Sequence, residues 1–218
     1  IVARAAFTKE VDFFARAGIR FLSPAATLNE PNYFKKQMFE AWSAPLRASR
    51  DEIELACEQG FRALRRFDAD MTQRGSEVLD SLHTKGDVGV VFLGRPYHDD
   101  PGVNHGVADY LQARGFPILS IRSLPREGPW IDRCFAKDPE GCARTVADVW
   151  PENYSVNSVQ KVWAAKFTAR HPNLAALDVS SFKCGLDAPT YGLVSDILSE
   201  TGTPYCTLHD VDSNKPAN

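Results

Sequence analysis

A change of hydrophobic period at Gly86 is the sequence feature that most constrains the fold of this chain. Residues 88–93 form a short, continuous apolar run, which is the pattern of a strand covered on both faces of a parallel sheet. Beyond it, segments of helical period alternate with further strand-like runs. This alternation predicts right-handed βαβ units and a doubly wound, flavodoxin-like or Rossmann-like α/β domain. The expected elements are helix 103–114, strand 117–121, helix 156–170, strand 174–179, helix 188–201 and strand 205–208.

The residues before Gly86 predict a mainly helical segment that packs on the sheet domain. After Pro31, apolar residues recur every four positions, which predicts a helix. A second apolar stripe follows Ser49 and Glu52, which match the capping box at the start of a helix. We therefore expect one helix to about residue 46 and one long amphipathic helix to about His83, with a short strand at 19–22. The predicted domains are residues 1–85 and 86–218, and the second contains a long aperiodic loop at 123–154.

Composition and charge exclude several classes of protein. The chain has 25 basic and 28 acidic residues, a formal charge of −3, and neither sign forms a long block, so a nucleic-acid partner is not expected. The longest apolar run is far shorter than a membrane helix requires. Five scattered cysteines are typical of a reducing cytoplasm rather than of a disulfide framework. The sequence starts at Ile1, with no initiator methionine and without the pattern of a signal peptide. We therefore expect the chain to be the interior of a longer protein.

Three unusually polar loops follow predicted strands, at residues 94–101, 180–187 and 209–215. Ligands of open parallel sheets bind outside the carboxyl ends of the strands. Because consecutive βαβ units deliver these ends to one side of the sheet, we expect the three loops to share one edge.

The first loop offers a site for an anion such as a phosphate or a CoA-like ligand. Arg95 supplies a guanidinium fork and His98 an imidazole, while Asn104 and His105 stand at the start of the next predicted helix. Alternatively, Arg95 pairs with a nearby aspartate and the loop only shapes a turn. Dinucleotide and P-loop nucleotide binding have no support, because neither glycine-rich pattern is present.

The second and third loops offer a thiol and a polar cluster. Cys184 follows Lys183 just before a predicted helix, and both features favour the thiolate of a metal ligand or nucleophile. The alternative is an inert thiol, since no second cysteine lies at Cys-x-x-Cys distance. His209 and Asp210 could bind a cation or a polar ligand, or could belong to a plain turn.

The other four cysteines lie in two different settings, and the role of the second pair stays open. Cys57 lies on an apolar helix stripe and Cys206 inside a strand, where a thiol behaves as a small hydrophobe. Cys134 and Cys142 fall in the long loop at a separation that matches no common zinc pattern. A solvated insertion is the expected setting for this second pair.

Several short motifs follow one another along nearly the whole chain. They are Ala-Ala-Phe-Thr-Lys-Glu at 5–10, Gly-Arg-Pro-Tyr-His at 94–98, Asn-His-Gly at 104–106, Val-Trp-Pro-Glu-Asn-Tyr-Ser at 149–155, Ser-Phe-Lys-Cys-Gly at 181–185 and His-Asp-Val-Asp-Ser-Asn-Lys-Pro at 209–216. In this order they resemble the large multidomain CoA-substrate-specific enzyme activases, which are relatives of the 2-hydroxyacyl-CoA (2-hydroxyglutaryl-CoA) dehydratase system.

The resemblance implies that an ATPase activator module drives a low-potential electron into a dehydratase-like module with cysteine-ligated iron–sulfur clusters, toward an acyl-CoA or related substrate. This chain resembles part of the second module, and Cys184 matches the family's cysteine after the strand. The remaining ligands are expected outside this chain, so its iron–sulfur cluster would be incomplete and the piece inactive alone. The expected partners are the ATPase module, other domains of the parent chain, and a CoA thioester or another anionic small molecule.

Two alternatives of different class remain at the level of sequence. One is a ligand-binding or regulatory domain in which Arg95, His98 and His105 hold an anion and no redox chemistry occurs. The other is a docking domain whose long helix presents an apolar surface to other domains of the parent chain.

Overall fold

The computed structural model describes residues 2–153, 155–180, 185 and 187–209. The chain forms two compact units, Ile1–Phe67 and Asp68–Asn218, here called unit 1 and unit 2. This division falls inside a long helix rather than at the change of hydrophobic period near Gly86. Among the described residues, no helix is both long enough and apolar enough to cross a bilayer.

Unit 1 is helical, as the residue pattern predicts. Its elements are α1 (Val2–Thr8), α2 (Phe13–Arg16), α3 (Pro31–Leu46) and the first part of α4 (Arg50–Lys85). The capping box at the start of α4 is confirmed, because the Ser49 backbone N–H donates to Glu52 Oε2 at 2.8 Å and the Glu52 N–H donates to Ser49 Oγ at 3.2 Å. The strand expected at 19–22 is absent from the described backbone. A strand forms only where a neighbouring strand pairs with it. The described part of unit 1 contains no second strand that could pair with residues 19–22.

Unit 2 contains a parallel sheet with the strand order β2-β1-β3-β4. The doubly wound α/β prediction is therefore confirmed, and β1 lies between two neighbours as its apolar run predicts. Leu93 at the end of β1 is in register with Asp178 of β3. The elements are β1 (Gly89–Leu93), α5 (Val107–Gln112), β2 (Ile118–Ser120), α6 (Pro129–Cys134), α7 (Val156–Arg170), β3 (Leu174–Val179), α8 (Ala188–Glu200) and β4 (Tyr205–Leu208), with 3-10 turns at Pro96–Asp99, Ile121–Ser123 and Cys142–Arg144.

The two faces of the sheet are covered unequally. One face packs on the main core, to which α7 contributes Trp163 and Phe167 and α4 contributes Leu79 and Leu82. The other face carries a small cluster in which Phe92, Leu177 and Val179 are buried and α5 packs through partly buried residues. Helix α8 also contributes to the main core, through Val194 and Leu198, whereas α5 is short and is the described helix that contributes to the small cluster. The predicted helix 103–114 is interrupted where the backbones of His105 and Gly106 adopt left-handed φ angles of 56° and 70°.

The segment 123–154 is not the solvated insertion that its lack of period predicts. It contains α6, and Trp130, Ile131 and Val146 are buried in the main core. The buried ammonium of Lys166 on α7 binds the segment to the core. It donates to both carboxylate oxygens of Asp148 at 2.7 Å and to two backbone carbonyls of the segment. A long-range anchor of this kind leaves no periodic trace in the sequence.

Candidate functional site

The polar residues that follow β1, β3 and β4 meet at the carboxyl edge of the sheet. The three strands are parallel, and Arg95, Ser180 and His209 follow them directly. This arrangement confirms the predicted shared edge for the first and third loops. Of the second loop, Lys183 and Cys184 lie outside the described residues, as does Asp210 in the third.

One half of the site is a chain of buried hydrogen bonds that starts at Arg95. Its Nε donates to Asp187 Oδ1 at 2.7 Å, and Ser180 Oγ donates to Asp187 Oδ2 at 3.1 Å. The Tyr191 hydroxyl donates to Ser180 Oγ at 2.7 Å. Ser180 and Asp187 are fully buried and Arg95 is 8% exposed. The chain therefore joins the end of β1 to the end of β3 and to the start of α8.

The Arg95 side chain is buried and is not exposed to an anion in solution. It pairs with an aspartate, which is the alternative that the sequence left open. A carboxylate accepting from guanidinium forms a strong, charge-assisted bond, and burial removes the competing water. Asp187 occupies the N-cap position of α8, but its side chain makes no cap bond because both carboxylate oxygens serve Arg95 and Ser180.

The other half of the site is a charged cluster around Asp178. Lys161 Nζ of α7 lies 2.6 Å from Asp178 Oδ1, as an ion pair outside the angles of a directed hydrogen bond. His209 Nε2 donates to Asp178 Oδ2 at 3.0 Å. The His209 ring stacks on Tyr191 with centroids 3.8 Å apart and planes 12° from parallel. Because Tyr191 also bonds Ser180, the two halves of the site form one network.

His98 contacts this network through the backbone of Arg95 and is not accessible to a ligand in solution. It is fully buried, and its Nδ1 accepts the Arg95 backbone N–H at 3.0 Å, so the proton of the neutral ring is on Nε2. Burial is the main cause that lowers the pKa of His98, opposed chiefly by the Asp187 carboxylate. Asn104 is buried too, and its amide donates to the His98 carbonyl at 2.9 Å.

His105 stands apart from this network among the predicted site residues. It is exposed, and it lines a groove on the α5 face of the sheet together with Val107, Leu177 and Cys206. Cys206 is exposed in β4, which corrects the prediction that it belongs to the core. Cys57 is buried, as predicted.

Several residues of the network were not singled out from the sequence as site residues. The available signal was one acidic residue, Asp178, in an otherwise apolar strand, and two lysines, Lys161 and Lys166, within the most buried helix, α7. Neither signal identifies its partner, because the partners come from other elements. The missed members are Lys161, Asp178, Ser180, Asp187 and Tyr191.

Within the described part of the chain, no group of three histidine, cysteine or acidic side chains is placed to hold a metal. Cys134 is a poor thiolate ligand, because burial raises its pKa to about 11. The described residues therefore do not by themselves complete an iron–sulfur site. Any cluster at this edge would depend on Cys184 and on ligands from elsewhere.

The fold and this edge define a doubly wound α/β domain with a buried, charge-balanced network at its carboxyl side, preceded by a helical unit. The chain belongs to the family described as the CoA enzyme activase uncharacterised domain, which matches residues 2–124. The match covers more than half of the sequence and ends before Lys161, Asp178 and Asp187. No curated protein and no solved structure matches the chain.

Proposed function

We propose that this chain is the dehydratase-like module of an iron–sulfur protein and that Cys184 is the ligand it contributes to a cluster. In this proposal the protein receives low-potential electrons from an ATPase activator module and passes them toward an acyl-CoA or related substrate. Membership of the CoA enzyme activase family supports the setting. Cys184 also lies in sequence at the carboxyl edge of a parallel sheet, where such folds bind their ligands.

The observation that carries the proposal is the closed base of the loop that contains Cys184. Ser180 and Asp187 flank residues 181–186, both are fully buried, and their side chains bond each other at 3.1 Å. Asp187 is held in turn by Arg95. The residues at both ends of this stretch are thus fixed by buried bonds, and a rigid support is what a site for a metal ligand requires.

The buried charges around the loop support a functional role for this edge. Taking charges out of water costs several kcal/mol per ion, and well-packed apolar residues often replace such pairs without loss of stability. Stability alone therefore does not account for a buried charge cluster of this kind. Here two pairs, Arg95–Asp187 and Lys161–Asp178, lie at the edge where the Cys184 loop begins and ends.

The anion-binding alternative has less support from the geometry. Each of the two buried cations, Arg95 and Lys161, faces a buried aspartate within 2.7 Å. The set of four carries no excess positive charge. An anion such as a CoA phosphate would have to displace Asp178 or Asp187 from these cations. Its binding would leave a buried carboxylate without a partner, which makes it less favourable than binding to an unpaired cation.

The test is a comparison of two cysteine variants in the longer protein to which we propose that this chain belongs, purified without oxygen. Cys184→Ser should lower iron and sulfide content and remove the electron paramagnetic resonance signal of the reduced cluster. Cys206→Ser is the matched control, because Cys206 is an exposed thiol in the strand that follows α8. It should leave iron content unchanged. Equal iron in the two variants, or loss with Cys206→Ser alone, would contradict the assignment of Cys184.

A further inference from the structure

The first 22 residues expose a cluster of phenylalanines, and residues 2–22 are here called the phenylalanine segment. Phe14 contacts Phe7 at 5.5 Å and Phe21 at 4.6 Å between ring centroids, and Phe13 joins the same cluster. Phe7 and Phe13 are nevertheless about half exposed, at 52% and 51%. Val11 and Ile19 extend the apolar surface. So large an exposed aromatic cluster indicates a contact that is made elsewhere.

The same unit contains an apolar groove between α3 and α4, here called the α3–α4 groove. Its cavity volume is about 570 Å³, and it is lined by side chains such as Met38, Trp42, Ile53 and Leu64. Gly60 lies in its wall in the middle of α4, and a Cβ added there would meet no atom within 4 Å. The groove thus has unfilled space along a helix, which is the form of a site that receives an apolar helical face.

Unit 1 has a small core of its own. Of the described side chains in residues 4–67, only those of Ile53 and Cys57 are buried. A domain of about 60 residues typically buries only about 60% of the surface of its unfolded chain and is marginally stable. Mutual burial of the phenylalanine segment and the groove would remove apolar surface of both from water, which stabilises the folded chain.

The connection between the two surfaces already enters the groove. Leu28 lines it, and the Thr27 backbone N–H donates to Gln37 Oε1 of α3 at 2.8 Å. Phe21 stands seven positions before Leu28. An extended chain of that length spans up to about 25 Å, enough to bring the segment back along the groove of its own chain.

We propose that the phenylalanine segment is a strap that closes over the α3–α4 groove of its own chain. The strap buries its aromatic rings against Met38, Trp42 and Leu64 and enlarges the small core of unit 1. The groove is then a site with a resident occupant, and a partner protein at this surface must displace the strap. This proposal is independent of any iron–sulfur function.

Photo-crosslinking of the 218-residue chain tests the strap. The photoreactive analogue p-benzoylphenylalanine replaces Phe13, and irradiation joins it to nearby C–H bonds, with methionine side chains favoured. Met38 is one of two methionines in the sequence and lines the groove. We expect a monomeric product in which position 13 is joined to Met38 or to another groove residue, identified by peptide mass spectrometry.

Variants of the groove provide the controls. Trp42→Glu should lower the yield of this product about tenfold, which corresponds to a loss of about 1.4 kcal/mol in docking free energy. Gly60→Lys should act in the same direction, and the space around Gly60 lets the helix form unchanged, as circular dichroism will verify. Leu55→Glu is the matched control, because Leu55 is 57% exposed on α4 and does not line the groove. It should leave the yield unchanged.

Three results would overturn the proposal. Crosslinked dimers would show that the segment docks on a second copy instead of on its own chain. Products confined to residues 2–22 would show that the phenylalanines contact only one another. Equal yields in the Trp42→Glu, Gly60→Lys and Leu55→Glu backgrounds would show that the groove does not hold the segment.

Discussion

Helix α4 passes through both units of this chain, and its two parts meet different surroundings. In unit 2 its residues Leu79 and Leu82 are buried in the main core. In unit 1 the same helix leaves Leu64 and Phe67 exposed at 42% and 49%. The apolar stripe that predicts an amphipathic helix is present along both parts. The comparison teaches that a periodic stripe specifies a helix and a face, while the partner of that face is specified by other parts of the chain.

The largest effect is expected from a matched pair of tryptophan truncations. Trp163 of unit 2 is 1% exposed and its Nε1 donates to the Ala143 carbonyl at 2.8 Å. Trp163→Ala should therefore lower the free energy of unfolding by about 3–5 kcal/mol. Trp42 of unit 1 is only partly buried by the residues around its groove, so Trp42→Ala should cost less, about 1–2 kcal/mol even with the proposed strap docked over it. Urea unfolding measures both, and losses of equal size would remove the contrast between the units.

The next effect concerns the charged cluster under the candidate site. Lys161→Ala leaves the fully buried Asp178 without its ammonium partner, with only the bond from His209 remaining. Such a break should destabilise unit 2 by at least about 3 kcal/mol. Replacing both partners, as Lys161→Met with Asp178→Leu, should recover at least half of the loss because no buried charge is then left unpaired.

An exposed ion pair provides the control for this second prediction. Arg74 and Glu77 on α4 have side chains that are 76% and 48% exposed. Arg74→Ala should therefore cause no measurable loss of stability. A double variant at Lys161 and Asp178 that is less stable than Lys161→Ala would show that the pair stabilises the fold in its own right.

How much of this could be predicted from the sequence differs between elements and contacts. The continuous apolar runs identified β1 and β3, and helical period identified α3, α4 and α7 within a few residues. Local signals decide these elements. The shared edge of Arg95 and His209 was also predictable, because βαβ units make the strands parallel and parallel strands end at the same edge of a sheet.

The contacts within the site were not predictable in the same way. Arg95 and Asp187 are separated by 92 positions, and nothing in the neighbouring residues of either one indicates the other. Lys161 lies in a helix and Asp178 in a strand, and the apolar pattern of each element predicts only that it is buried in the core. The segment 123–154 was mispredicted for the same reason, since Lys166 holds it by long-range bonds. Pairings of this kind depend on the tertiary fold.

The smallest expected effect is a difference between the two units in how their free energy of unfolding depends on pH. All five histidines lie beyond residue 67, so titration of histidine can destabilise only unit 2. His171 is 3% exposed, its ring lies 4.6 Å from that of Trp130, and its Nδ1 accepts the Asn173 backbone N–H at 3.1 Å. Burial lowers the pKa of His171 from 6.5 to about 4, and the neighbouring His83 acts in the same direction. The folded protein therefore holds this ring neutral.

The sign of the effect follows from proton uptake. Between about pH 6.5 and pH 4 the unfolded chain binds a proton at His171 that the folded chain does not, so stability is present above this window and is lost as the pH falls through it. Between about pH 7 and pH 4.5 the loss at this residue should be about 2 kcal/mol. His171→Gln is destabilised at neutral pH but lacks the titration, so its free energy of unfolding should fall less steeply with acid than that of the natural chain. Urea unfolding at the two pH values measures this difference, and parallel pH dependence of the two proteins would show that the His171 ring is already charged in the folded state.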